Sequence, residues 1–170
     1  MSAHQQLRSA TAPDHEAVDG AFARFDLGDR AGYGAFLVAH ARAVPAIEAV
    51  LDGTEGPLPL RARTPLLFAD LAALGLAIPA LLTVDAPVSQ AEAWGIAYVL
   101  EGSRLGGGLL ARSVPADLPQ TYLRETHLPG EWRAFTTALD TALTSDDEIA
   151  QAIRAARRIF AVYGAAVATG

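Results

Sequence analysis

Apolar residues recur along this chain at spacings of three and four, the period of helices that bury one face. Sustained alternation of the kind a half-buried strand needs is absent, and alanine and leucine dominate. The expected fold is all-α, a single domain over residues 1–170 with seven to eight helices. Thr11, with Pro13 and Asp14 in the turn that follows, has the form of a helix start. Residues 1–10 are then expected as a frayed segment holding His4, and Val18, Phe22 and Phe25 form an inward stripe that also carries His15. A second helix, from about Arg30 to Leu51, turns Tyr33, Leu37, His40, Val44 and Ile47 inward and stops in a loop from Gly53 to Pro59. A third is expected from Thr64 to Leu74 and a short fourth around Ile78 to Leu82. The fifth starts at Ser89 and runs through Leu100 toward Ala111. A short helix at Tyr122, one with Trp132, Phe135 and Leu139, and a last one opened by Asp146 and Asp147 complete the set. The apolar stretch from Pro65 to Val84 contains Asp70 and is interrupted by Gly75 and Pro79, so it reads as buried helix and not as a membrane span.

Composition narrows the chemistry available to such a bundle. There is no cysteine, which removes disulfides, thiolate nucleophiles, iron–sulfur clusters and cysteine zinc sites together. The imidazole ligands are His4, His15, His40 and His127. All 13 basic residues are arginine, against 19 acidic ones, and the net charge is -6. That balance offers no footprint for nucleic acid or an anionic membrane. No basic-then-apolar leader precedes a small-residue cleavage site, so a cytoplasmic monomer is expected. Ser103, a histidine and Asp70 could be written as a hydrolase triad, but no strand-turn-helix elbow supports one.

Two features invite chemistry. The fifth helix carries Gly102, Gly106, Gly107 and Gly108, and an interior helical glycine costs about 1 kcal/mol against alanine. Bare backbone there serves either a close helix crossing or a flat, bulky ligand resting on the helix. A phosphate cradle fits poorly, because no P-loop lysine is present. His15 and Asp19 stand four apart, so the carboxylate can accept from one imidazole nitrogen and leave the other free for a metal; an ordinary i,i+4 pair has the same spacing. Arg154, Arg157 and Arg158, followed by Phe160 and Tyr163, form either a solvated face or a carboxylate-binding group. Arg8 shares the His15 face only if the first helix extends back past Pro13.

These pieces resemble the haem oxygenases, particularly the bacterial biliverdin-producing branch associated with phytochromes. Leu7-Arg-Ser-Ala-Thr-Ala-Pro-Asp-His15-Glu-Ala-Val-Asp19 is similar to that family's proximal helix, and Tyr98-Val-Leu-Glu-Gly-Ser-Arg-Leu-Gly-Gly107 to its distal helix. Asp70-Leu-Ala-Ala-Leu-Gly75 resembles the segment between, so the likeness covers nearly the whole chain. The resemblance implies haem b, as both substrate and cofactor, between the two helices, with His15 as axial iron ligand and Asp19 as its orienting carboxylate. It implies Gly102, Ser103 and Gly106 on the dioxygen side, and Arg8, Tyr98, Gly107, Arg157, Arg158, Phe160 and Tyr163 around the macrocycle and its propionates. Cleavage to biliverdin with release of CO and ferrous iron is then expected, using O2 and electrons from an external ferredoxin or reductase, without bound flavin or NAD(P). A bacterial phytochrome is an expected biliverdin acceptor. Mammalian members place an aspartate directly after the first distal glycine, whereas Ser103 stands there here, leaving Ser103, Arg104 and water as candidates for proton delivery. A non-catalytic haem binder of the same fold, or a helical interaction module, are the competing readings.

Overall fold

A computed structural model describes residues 1–58 and 60–169, so the last residue of the expected Gly53 to Pro59 loop lies outside the described residues. Among the described residues there are eight α-helices, one 3-10 turn and no strand. They are α1 (Ala3–Phe22), α2 (Arg30–Leu51), α3 (Thr64–Ala73), α4 (Gln90–Leu105), α5 (Gly107–Leu110), the 3-10 turn Ala111–Ser113, α6 (Thr121–Arg124), α7 (Glu131–Ala142) and α8 (Asp146–Ala168).

The helices with clear caps begin where their sequences say. Asp29 accepts from Gly32 N at 3.0 Å to open α2, and Ser89 accepts from Glu92 N at 3.2 Å to open α4. Ser145 and Glu148 exchange reciprocal bonds at the start of α8. Glu48 opens α3 from outside, accepting from Arg63 N at 2.7 Å and Thr64 N at 3.1 Å.

Two expectations are corrected. The first helix starts at Ala3, not Thr11, and residues 1–10 are not frayed: Ala3 and Leu7 are buried, and His4 donates its backbone N–H to Asp140 at 2.8 Å while its ring pairs with the same carboxylate. Pro13 therefore lies inside α1, where its ring removes one donor from the helix ladder. Ile78 to Leu82 is not helical; residues 76–87 run as irregular chain, anchored to α2 by Leu82 N donating to Arg42 O at 2.8 Å. Pro79 supplies no N–H and disfavours helix at Ile78, and a five-residue stretch cannot overcome both.

α8 is the spine. Both α1 and α4 pack along it, and α2 closes the far side with α3. Gly95 marks the α4–α8 crossing, since a Cβ there would overlap the backbone carbonyl of Ala152. One apolar core gathers Tyr33, Leu37 and Ile47 of α2 with Ile159 and Tyr163 of α8, and a second gathers Leu7, Trp94, Phe135 and Leu139. α2 is long and apolar enough to cross a membrane by length and composition, and half of that window is buried inside the fold.

Candidate functional site

Because α1 reaches back to Ala3, Arg8, Ala12, His15 and Asp19 fall on one face of it, at spacings of four, three and four. His15 does not join the buried stripe. It is exposed, at 61% of its side chain, with Nδ1 held by Asp19 at 3.0 Å and its ring edge-on to Phe160 at 5.8 Å between centroids. The carboxylate takes one ring nitrogen and leaves Nε2 uncommitted. Arg8 lies close enough to Tyr98 of α4 to oppose the upward shift that burial imposes on that phenol.

The glycines on the α4–α5 run separate into two kinds. A Cβ built on Gly106 meets nothing within 4 Å, and one on Gly102 meets only Trp132 Cη2 at 4.0 Å. By contrast, a Cβ on Gly107 would stand 2.5 Å from the carbonyl oxygen of Leu123, and one on Gly108 would stand 3.2 Å from Thr126. Gly107 is thus a packing glycine, which corrects its assignment to the ligand wall. Leu105 and Leu109 flank Gly106 along the chain and remain 51% and 68% exposed. The result is a bare, apolar-edged wall of the kind a flat ring covers.

Other expected residues are engaged elsewhere. Arg157 donates to Ala10 O at 2.8 Å and faces Asp14, bracing α1 beside Pro13; Arg158 pairs with Glu92 at 2.9 Å, near the start of α4. Neither is brought to the glycine wall. Tyr163 is buried beside His40, their ring centroids 5.8 Å apart. Arg104 turns into the protein, donating to Arg61 O at 2.6 Å and Glu125 O at 3.2 Å and pairing with Glu101, which also holds His127 at 2.9 Å. That removes Arg104 from the candidates for proton delivery.

Its place is taken by a residue the sequence did not flag. Arg63, buried, donates from Nη2 to Ser103 Oγ at 2.6 Å and Leu100 O at 3.0 Å, and its guanidinium lies over the Tyr122 ring at 5.3 Å. Tyr122 Oη meets His40 Nδ1 at 2.6 Å. Burial first, and then the Arg63 charge, push the His40 imidazole down to about 3, so it is neutral at pH 7. One sequence signal existed: a cation immediately before the start of α3 opposes the helix dipole and so calls for another reason to be there.

An exposed imidazole oriented by a carboxylate and a stretch of open glycine backbone are the donor and the surface that a haem would need. No family model matches the chain. Over its whole length the fold superposes on solved haem oxygenases. The Neisseria meningitidis enzyme, crystallised with NO and CO bound, matches with a TM-score of 0.83 at 24% identity, covering 99% of this chain and 92% of that one. The Leptospira interrogans structure matches with a TM-score of 0.80 at 19% identity, covering 100% of both. In sequence, a curated heme oxygenase of Xanthomonas campestris pv. campestris is 35% identical over 109 residues, 61% of this chain and 66% of that protein. The chain belongs to the haem oxygenase family. Its sequence match spans just under two thirds of that relative, while the all-α haem oxygenase fold spans the whole chain. Within this haem oxygenase fold the proximal candidates sit on α1 and the distal ones on the last turns of α4.

Proposed function

We propose that this chain is a catalytic haem oxygenase that opens haem b to biliverdin with release of CO and ferrous iron. The observation that carries the reading is the pairing of an exposed His15, oriented by Asp19, with the open face of Gly102 and Gly106 on a second helix along α8. Bound haem supplies the redox chemistry and is itself the molecule cleaved. His15 would hold the haem iron through Nε2, and Asp19 accepts from Nδ1–H, which fixes the tautomer. Gly102 and Gly106 would let a flat ring approach the helix backbone. Arg8, about 10 Å along α1 from His15 by helical rise, and Tyr98 are the groups placed for the propionates. Ser103, tied to Arg63, is the polar group on the oxygen side.

The reading includes O2 as co-substrate, an external ferredoxin or reductase as electron donor and no bound flavin or NAD(P). It also includes a biliverdin acceptor such as a bacterial phytochrome, a cytoplasmic monomer, and no nucleic-acid or membrane partner. The test is a hemin titration followed by reduction in air. One hemin is taken up per chain with a His15-dependent spectrum, His15→Ala loses that spectrum, and the Soret band bleaches to biliverdin. Uptake without pigment would replace the enzyme with a haem carrier or sensor; no uptake at micromolar hemin would leave a helical interaction module.

A further inference from the structure

The half of α1 that carries His15 is the less firmly held half. The buried residues of this helix, Ala3, Leu7 and Thr11, all precede Pro13, and beyond it Val18 and Phe22 are only partly buried. Pro13 stands at the join. It has no N–H to give Ser9 O and its ring crowds that carbonyl, so the backbone ladder is weakest just before His15. Beyond the join, Phe22 meets Tyr163 at 6.4 Å and His15 stands edge-on to Phe160 at 5.8 Å between ring centroids. Such apolar contacts hold two helices together without fixing how one is turned on the other. Among the described residues, the directional contacts that cross from α8 to this stretch come from one side chain. Arg157 Nη2 donates to Ala10 O at 2.8 Å, before Pro13, and Arg157 Nε faces Asp14 Oδ2 at 3.5 Å, after it. Phe160, three residues further along α8, lies on the same face of that helix.

We propose that Arg157 is a positioning residue for the iron ligand: its guanidinium clamps α1 across Pro13 and so sets the direction in which His15 Nε2 points. The inference rests on the haem reading above, in which that nitrogen holds the iron. A guanidinium is planar and presents its donors at fixed angles. Gripping a backbone carbonyl on one side of a weak join and a carboxylate on the other, it resists both bending and twisting there. Asp19 orients the imidazole only relative to its own helix, four residues away, and cannot fix where that helix stands. Arg157 supplies the second reference, because it ties the turn beside His15 to α8, along which α4 and its glycine wall also pack. The side chains of Arg157 and Asp14 are 53% and 34% exposed, so the clamp adds little to global stability. Its effect falls on the geometry of one turn.

Wild type, Arg157→Met, Arg157→Lys, Pro13→Ala and the double variant Pro13→Ala/Arg157→Met, each haem-free and loaded with hemin, test it. In the haem-free protein, loss of one hydrogen bond of ordinary strength makes amide exchange of residues 15–22 about three- to tenfold faster in Arg157→Met and leaves residues 5–10 within about twofold. In the hemin-loaded protein, reduced without oxygen, the iron–imidazole stretching band of Arg157→Met shifts and broadens. Hemin then passes to an excess of haem-free myoglobin about threefold faster or more, since a ligand that is no longer pre-set costs more to order. Pro13→Ala restores the missing N–H and with it the ladder, so in that background Arg157→Met changes exchange by less than about twofold. Arg157→Lys, a point donor in place of a fork, recovers part of the loss; full recovery would show that charge alone suffices and overturn the clamp. Exchange that rises equally along the whole of α1, or an iron–imidazole band that stays unchanged, makes Arg157 a residue of general stability and overturns the proposal. Should Arg157→Met not fold, Asp14→Ala decides: exchange of residues 15–22 at least about twofold faster together with a shifted band supports the clamp, and anything less overturns it. A wild type that takes up no hemin overturns the haem reading as well; hemin held through His15 with the band unmoved in Arg157→Met overturns this inference alone.

Discussion

Four glycines share a stretch of seven residues, and they have opposite reasons to be there. Gly102 and Gly106 face space that a methyl group could enter freely; Gly107 and Gly108 face Leu123 and Thr126 at distances a methyl group could not share comfortably. Sequence alone offers both readings, close helix packing and room for a ligand, as alternatives for the run as a whole. The structure divides the run: Gly107 and Gly108 are closely packed, while Gly102 and Gly106 face open space. α4 ends at Leu105, Gly106 breaks the helix, and the short α5 is laid against α6. The first pair shapes the wall, and the second pins that wall to the rest of the molecule.

The sharpest way to break this comparison is a methyl group at position 107. In Gly107→Ala the new Cβ meets backbone, 2.5 Å from Leu123 O and 3.3 Å from its carbonyl carbon, and backbone cannot swing aside as a side chain does. Overpacking of this kind costs about 3 kcal/mol, which for a chain of this size lowers the melting temperature by roughly 10 °C. Calorimetry of the haem-free protein checks it; an unchanged Tm would show that α5 and α6 separate easily and that the second pair pins nothing.

A smaller effect is expected where the pinning loop is itself held. Arg61 donates to both oxygens of Glu131, at 3.0 and 2.8 Å, to Thr126 O at 3.0 Å, and to Glu125. The Arg61 hydrogen bond, its largest cause, holds the Glu131 carboxyl at about 2, against an ordinary 4.5. A carboxyl with a depressed folded pKa stabilises the native state above its unfolded pKa and loses that contribution as pH falls through the folded one. The window is thus from about 4.5 down to about 2. The pair is about one-third exposed, so the contribution is only about 1 kcal/mol after solvent screening. Glu131→Gln should cost that much at pH 7 and close to nothing at pH 2, measured by urea unfolding. An equal loss at both pH values would assign the effect to lost packing and not to charge.

How much of this was legible beforehand follows from the kind of signal each part leaves. α2 spans Arg30–Leu51 as read, and α8 opens at the acidic pair Asp146 and Asp147, because strong apolar periods there coincide with side-chain caps. The start of α1 was hidden: Pro13 looks like a first-turn proline, and the small residues Ala3 and Thr11 give a weak stripe on either side of Leu7. His15 with Asp19 was visible as spacing, but its exposure was not, since exposure depends on how α1 leans away from its neighbours. Arg63 left only the signal of a cation just before α3, and its partners left none. It is separated by 40 residues from Ser103, and no local pattern reports a contact between a loop and a distant helix. The long-range distal polar set of Arg63, Tyr122, His40 and Tyr163 is a property of packing alone.

The finest test of the comparison asks for opposite signs from one substitution. Gly102 lies inside α4, and an added Cβ makes only an ordinary contact with Trp132. In Gly102→Ala the haem-free protein should gain about 0.5–1 kcal/mol, because alanine loses less backbone entropy than glycine on entering a helix. The same methyl group projects from the wall on which a flat ring would lie, so hemin affinity should fall while stability rises. Chemical denaturation of the haem-free variant and hemin titration of the same preparation give the two signs. If stability falls instead, Gly102 is a packing glycine like Gly107, and the division of the run into two pairs is wrong. If stability rises and hemin binds as before, the ligand does not lie on this face of α4, and the wall must be sought elsewhere along α8. Only a gain in one measurement with a loss in the other identifies a position whose bare backbone is kept for a partner that the folded chain alone does not contain.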